Sequence, residues 1–337
     1  MPRRYRITIV GAGMTGATAA QWCAAAELAD VVLYDVVPGL ARGKALDLFE
    51  ATPLLGAGAR VFGTEGWEDT AGSDVVVITA GSRRRPGHGR TELLTVNAHV
   101  VAEVARQAVA VSPDAVVIVL TNPVDVMAYV ALRATGLPPA RVVGQAGVLD
   151  AARLRAFVAA ELDVSVEDVQ ALVIGGHGDR MVPLVRLAQV GGVPLNCLLE
   201  APAIERLVAR TRTGGAEIME LLKPTTAYCA PGAALAEMVA AVLRDKGRVL
   251  AAPAYLQGEY DLRGLYTGVP VVLGAQGVRR VVELALEPQE RAAFLGSAAE
   301  VRAAMAQLPA DLRPADGSAG VDDRRPNAGG LSTGIGG

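Results

Sequence analysis

Residues 11–16 read Gly-Ala-Gly-Met-Thr-Gly, and the residues on either side leave few options for the fold around them. A β-rich run at 5–10 leads into the glycines, and a helical pattern at 15–27 follows. A second β run at 31–34 ends against Asp35, 19 positions after Gly16. In such a strand–turn–helix–strand unit the first glycine makes the tight turn and the second lets a pyrophosphate approach the backbone. The third lets the helix lie close on the strand. The N–H groups that open the helix then face the phosphates. A carboxylate ending the second strand accepts the ribose hydroxyls of NAD and repels the 2′-phosphate of NADP. Val36 and Val37 follow Asp35, so no adjacent arginine reverses that preference. Gly11, Gly13, Met14, Thr15, Gly16 and Asp35 are thus the expected cofactor-binding set, with NAD as the cofactor.

The alternation continues through the first half. Further β runs are expected at 60–63, 74–80, 115–121 and 141–143, and helices at 40–51 and 92–110. Strand–helix alternation of this kind builds a parallel sheet with helices on both faces, an α/β doubly wound fold. The pattern changes near residue 145. A helix at 149–161 precedes β runs at 169–174 and 181–190, a helix at 201–222, β runs at 248–256 and 268–273, and a closing helix at 288–307. The expected organisation is therefore a nucleotide-binding domain over 1–145, a mixed α+β substrate domain over 146–307, and a disordered tail over 308–337. The tail is rich in Pro, Gly, Asp and Ser and lacks apolar periodicity.

A chain of 337 residues suits two domains that share an interface. Its net charge of −3 and its scattered basic residues offer no footprint for nucleic acid. Cys23, Cys197 and Cys229 are odd in number and far apart, which argues against a disulfide framework or a zinc site and suits a reducing cytoplasm. The first six residues carry three arginines and residues 7–26 carry no charge, as in a signal peptide. Three glycines interrupt that apolar run, however, and cleavage would destroy the βαβ unit. No other uncharged apolar run is long enough to span a membrane.

Chemistry concentrates in three further segments. Gly175-Gly176-His177-Gly178-Asp179 follows the apolar run 169–174, so a strand delivers an imidazole into a turn that backbone can crowd closely. A histidine so placed is either packed and capped or catalytic. Asp150 and Arg153, three apart, share one face of a helix. They form either a local ion pair or a split pair, the aspartate orienting His177 and the arginine holding a carboxylate. Residues 82–90 place four arginines beside Gly87, Gly89 and Pro86 after the fourth strand. That is a solvated charge run or a lid that carries guanidinium groups onto an anion. Asn122, ahead of Pro123 at the end of the fifth strand, is either a plain turn residue or a holder of substrate or nicotinamide.

Taken in order, GAGMTG, the arginine loop, TNPVD, GQAGVLDAARLR and IGGHGD resemble the lactate/malate dehydrogenase family, in particular its lactate-dehydrogenase-like malate dehydrogenases. The resemblance covers about residues 4–306. It implies an N-terminal Rossmann domain, a C-terminal substrate domain, and NAD-dependent interconversion of (S)-malate and oxaloacetate. His177 is then the proton donor and acceptor, Asp150 holds its imidazole, and Arg153 binds the substrate's C1 carboxylate. Arg90 polarises the reacting carbonyl, and Asn122 and Asn97 contact the ligands, Asn97 on the cofactor side. Arg84, six before Arg90, occupies the position that selects the substrate, where malate enzymes carry arginine and lactate enzymes glutamine. Arg83, Arg85 and His88 crowd that selector and depart from the family's usual A/P-R-K-P-G-M. The implied partners are malate and oxaloacetate and further copies of the chain, a homodimer or homotetramer built on the helices at 15–27 and 40–51. No metal, membrane or nucleic acid is implied.

Two rivals stand beside this reading. Lactate dehydrogenase is the alternative within the family, and Arg84 discriminates against it. A non-catalytic NAD-binding module is the other, and the complete set of His177, Asp150, Arg153 and Arg90 discriminates against that. Neither G-x-S-x-G nor H-E-x-x-H occurs, so hydrolase readings have no motif to rest on.

Overall fold

Valine and isoleucine dominate the strands of the first half, and they build a sheet buried on both faces, as the strands of an all-parallel sheet usually are. In a computed structural model of the chain, the described residues are 4–82, 90–223 and 225–313, with Arg90 described in its backbone only. The first half runs β1 (Arg6–Val10), α1 (Met14–Ala25), β2 (Asp30–Tyr34), α2 (Leu40–Ala51), β3 (Val61–Thr64) and β4 (Val75–Ile78). It continues with α3 (Arg90–Val111), β5 (Val116–Val119), α4 (Val124–Thr135) and β6 (Val142–Gly144). Every residue of β4 and of β5 is buried.

The six strands pair in parallel in the order β3-β2-β1-β4-β5-β6. The chain therefore winds outward from β1, returns, and winds outward the other way from β4. A crevice opens at the carboxyl ends of β1 and β4, where the winding reverses, and ligands of such sheets bind there. Gly11, Asp35, Ser82, Asn122 and Gln145 all lie just past the carboxyl ends of their strands. This is a Rossmann sheet, followed by an α/β C-terminal part.

That second part begins with α5 (Gly147–Leu162) and the short strands β7 (Val169–Gln170), β8 (Val173–Ile174), β9 (Val182–Pro183), β10 (Gln189–Val190) and β11 (Val193–Pro194). After them come α6 (Ala201–Leu222), α7 (Cys229–Leu243), β12 (Arg248–Gln257), β13 (Arg263–Gly274), β14 (Gly277–Val281) and α8 (Pro288–Met305). β12, β13 and β14 form an antiparallel meander. The two halves share one core, in which Ile7 and Val77 belong to the same apolar cluster as Val239, Leu250 and Tyr266. Tyr266 also donates its hydroxyl to the Val142 carbonyl at 3.2 Å. A separate cluster around Leu154, Val158, Met181 and Leu207 lies inside the second part.

Several sequence expectations change. The run 169–174 is not one strand: β7 pairs with β10 and β8 pairs with β9, in different sheets. The run 181–190 divides likewise, with a 3-10 turn at Val185–Leu187. Both cores draw on these runs, with Val169, Val173 and Val190 entering the separate cluster and Ile174 and Val182 the shared one. The helices α4 and α7 and the strand β14 have no counterpart among the sequence expectations. The sequence of α7 is apolar nearly all round, so no polar face marks a helical period. Finally, the tail expected from 308 starts later, because Leu308 and Leu312 are buried in the shared core. The remainder of that tail, 314–337, lies outside the described residues, as do Arg84, His88 and the rest of the arginine loop over 83–89. Among the described residues no helix is long and apolar enough to cross a membrane, and no group of three or more His, Cys, Asp or Glu is placed to hold a metal ion.

Candidate active site

The turn from β1 into α1 is shaped by what glycine lacks. Gly11 has φ +103°, a backbone region L side chains rarely adopt. A Cβ on Gly16 would collide with the Gly11 carbonyl oxygen, and it would also stand 2.9 Å from Thr79 Oγ1. At Gly13, the residue preceding α1, nothing lies within 4 Å of where a Cβ would be. The helix thus packs tightly at Gly16 and faces open space at Gly13. No side chain caps α1, and its first turn carries no acid. Its leading N–H groups thus have no side-chain partner among the described residues and suit an anion such as a pyrophosphate. Met14 is exposed and Thr15 half-buried beside them. Asp35 reaches back to the same turn, Oδ2 accepting the Ala12 N–H at 2.7 Å and Oδ1 the Val37 N–H at 3.0 Å. These residues fit a dinucleotide. Gly16→Ala should cost about 1–3 kcal/mol of stability through overpacking and weaken NADH binding together with it. Thermal unfolding and NADH titration measure both, and an unaltered midpoint with unaltered binding would show that the turn relaxes freely.

Next along the sheet, Asn97 braces two strand ends. Its Oδ1 accepts the Ser82 N–H at 2.7 Å and its Nδ2 donates to the Asn122 carbonyl at 2.9 Å. Asn97 is buried, so what it can still offer a cofactor is its second amide hydrogen. Asn122 is exposed, in cis peptide linkage with Pro123. Ser82 is the last described residue before the segment 83–89, so Asn97 joins the approach to that segment to the Asn122 turn.

The histidine turn is pinned from three sides. Gly175 exchanges backbone hydrogen bonds with Gly268 of β13, at 2.8 and 3.1 Å. The Gly176 N–H donates to Ser297 Oγ of α8 at 2.9 Å. The His177 N–H donates to Asp125 Oδ2 of α4 at 3.0 Å. With its backbone fixed, the His177 ring meets α5, where Nδ1 lies 2.9 Å from Asp150 Oδ2. The other oxygen of that carboxylate, Oδ1, accepts from Arg153 Nη1 at 3.1 Å. Asp150 is 2% exposed, Arg153 11% and His177 20%.

The alternatives at Asp150 and Arg153 turn out not to exclude each other: the ion pair is local, and it also carries the imidazole. A carboxylate can only accept, so Asp150 keeps the proton on Nδ1 and leaves Nε2 as the exchanging nitrogen. Burial pushes the imidazole toward neutrality, but the charge and hydrogen bond of Asp150, with a further contribution from Asp125, raise its pKa above 6.5 against the opposing Arg153. Two glycines of α6 border the Arg153 side chain, where a Cβ at Gly214 would meet its Cδ at 3.4 Å and one at Gly215 its Nη2 at 3.5 Å, both ordinary contacts. Arg153 Nε is buried with no hydrogen-bond partner among the described residues. A fork left partly open in this way suits a carboxylate ligand.

Asp125 escaped the sequence reading, though it ends the quoted TNPVD motif. A buried acid in the first turn of a helix looks, in sequence, like ordinary helix-start stabilisation.

Comparison with known proteins agrees with this geometry. The family model described as lactate/malate dehydrogenase, NAD binding domain, matches residues 5–144. That described as lactate/malate dehydrogenase, alpha/beta C-terminal domain, matches residues 147–311. A malate dehydrogenase of Thermomicrobium roseum is 56% identical over 299 residues, which is 89% of this chain and 96% of that protein. The solved malate dehydrogenase of Salinibacter ruber superposes with TM-score 0.86 at 48% identity, covering 90% of this chain and 97% of its own. The lactate dehydrogenase of Cryptosporidium parvum, solved with lactic acid and nicotinamide adenine dinucleotide, superposes with TM-score 0.87 at 41% identity, covering 90% and 98%.

Proposed function

The chain belongs to the lactate/malate dehydrogenase family, and on that footing we propose that it interconverts (S)-malate and oxaloacetate with NAD. The observation that carries this reading is the Asp150 carboxylate held between the His177 imidazole and the Arg153 guanidinium. Gly11, Gly13, Gly16 and Asp35 would hold NAD, whose nicotinamide would supply the acceptor for the hydride on C2 of malate, or the hydride for oxaloacetate. Neutral His177 takes the malate hydroxyl proton at Nε2, and protonated His177 returns it to the carbonyl oxygen in the reverse direction. Asp150 fixes the tautomer and favours the imidazolium. Arg153 holds the C1 carboxylate, using donors left open beside Asp150.

Arg90 polarises the reacting carbonyl and Arg84 meets the distal carboxylate. Both roles rest on resemblance, because Arg84 and the Arg90 side chain lie outside the described residues. Asn122 holds the substrate from the end of β5, with Asn97 behind it on the cofactor side. Asp35 discriminates against the 2′-phosphate of NADP.

The test is kcat/KM for oxaloacetate, pyruvate and 2-oxoglutarate, with NADH and with NADPH. Oxaloacetate with NADH should lead clearly. A lead for pyruvate would make the protein a lactate dehydrogenase and remove Arg84 from its proposed role. Equal use of the two cofactors would remove Asp35 from its own.

Assembly follows from α1 and α2 in this reading. Trp22, Leu46 and Phe49 are exposed on those helices, and Leu54 and Leu55 in the turn after α2. Large apolar side chains collected in this way favour burial against a second copy, which supports a homodimer or a tetramer made from two. All three cysteines are free thiols, which supports a reducing cytoplasm, where this reaction belongs to the tricarboxylic acid cycle.

A further inference from the structure

The chemistry above uses Asp150 and leaves Asp125 without a task, although both aspartates reach the same histidine. Asp125 is 4% exposed in the first turn of α4. Its Oδ2 accepts the His177 N–H, and its Oδ1 is buried with no hydrogen-bond partner among the described residues. The turn is packed closely here, for a Cβ on Gly176 would stand 3.0 Å from Val301 and in ordinary contact with Asp125 Oδ2 at 3.6 Å. A carboxylate removed from water and only half satisfied is costly to keep. Were its task only to hold one N–H, a neutral amide would do the same at lower cost.

We propose that Asp125 is a second carboxylate acting on His177, a positioning residue that clamps the backbone of the histidine turn and adds negative charge behind the imidazole. This rests on His177 being the proton carrier. Asp150 grips the ring and sets its tautomer, while Asp125 grips the main chain and sets where the ring stands.

Among the described residues the charges around the pair are few. From α5 come Asp150 and Arg153, one on each side of the balance. The other charge on α4, Arg133, lies in its last turn. α8 presents uncharged Ser297 and Val301 to the turn, while its Glu300 pairs with Arg180 at 2.7 Å and its Arg302 donates to the Arg263 carbonyl at 3.3 Å. β13 contributes the backbone of Gly268. Asp179, on the turn itself, is exposed. The titration behaviour agrees with the geometry. Burial pushes the Asp125 carboxyl up to about 6, against the opposing pull of the His177 N–H and of the imidazolium charge. In return, the charge of Asp125 is among those that hold His177 above its ordinary value.

Asp125→Asn keeps size and an acceptor for the N–H and removes the charge. The chain holds three histidines, His88, His99 and His177, so selectively labelled ring signals follow His177 directly. The ring pKa should fall by roughly half a unit to one unit, and the midpoint of the pH profile of malate kcat/KM should fall with it. An unmoved ring pKa accompanied by a lower melting temperature would overturn the proposal and leave Asp125 a purely structural acid. A ring that shifts without moving the rate profile would instead fault His177 as the proton carrier and leave the charge effect standing. If the variant does not fold, the unaltered enzyme decides. Its Asp125 carboxyl carbon, labelled with 13C, should then be ionised over the pH range in which the His177 ring titrates. A carboxyl found protonated across that range would overturn the proposal.

Discussion

Replacing His177 with asparagine should lower kcat by on the order of 10²–10⁴, the usual contribution of a positioned general acid–base group. NADH binding should stay nearly intact. The glycine turn and Asp35 belong to β1, α1 and the end of β2, whereas His177 hangs from β8 and is pinned by α4, α8 and β13. The loss should therefore appear in turnover and scarcely in the dissociation constant of the cofactor. An asparagine enzyme with ordinary turnover would show the proton travelling by another route, with His88 the next candidate. The pH dependence of the unaltered enzyme tests the same residue by its direction. Because the imidazole pKa is raised, malate oxidation, which needs the neutral ring, should switch on only as pH rises through a value above 6.5. Oxaloacetate reduction, which needs the imidazolium, should hold below that value and fall as pH rises through it. Identical limbs in both directions would contradict the assignment.

The site divides into what a chain can display and what only packing can create. The glycine fingerprint is legible because each glycine answers a local demand: Gly11 takes a positive φ, and Gly16 leaves no room for a side chain. α2 and α6 have the bounds their sequences suggest because their apolar residues keep a helical period between clear polar positions. α7 is invisible in sequence for the opposite reason. It is buried nearly all round, and Gly232 in its first turn lies so close to α1 that a Cβ would stand 2.9 Å from the Ala19 backbone nitrogen. Such a helix is specified by its neighbours, α1 among them. The split of 169–174 into two strands is likewise set by partners farther along the chain, β10 for β7 and β9 for β8, and no pattern within six residues records that. Asp150 and Arg153 can be seen to share a helix face, but spacing alone cannot tell a surface ion pair from a bridge to His177, because the histidine arrives from another sheet. Asp125 and His177 are 52 positions apart. Their contact needs β5, α4 and β8 all in place, and so lies beyond any local reading.

Arg153 offers the sharpest separation of substrate binding from proton transfer. Its Nη1 is committed to Asp150, while its Nε is buried and unpartnered among the described residues, beside the two glycines of α6. If the C1 carboxylate docks on this fork, Arg153→Gln removes one partner of a desolvated charge pair, which typically costs about 2–5 kcal/mol. That corresponds to roughly a 30- to several-thousand-fold loss of kcat/KM for oxaloacetate, with NADH binding unchanged. A second consequence runs through the shared carboxylate. Arg153 is the charge that opposes Asp150 and Asp125 at the imidazole. Removing it should raise the His177 pKa further and move the rising limb of malate oxidation to higher pH, opposite to the shift expected for Asp125→Asn. Measuring kcat/KM across pH for both variants thus tests one electrostatic balance from its two sides. Undiminished kcat/KM in the Arg153→Gln enzyme would place the carboxylate anchor elsewhere. A limb that moves the same way in both variants would mean that the three charges do not act on the imidazole as the geometry requires.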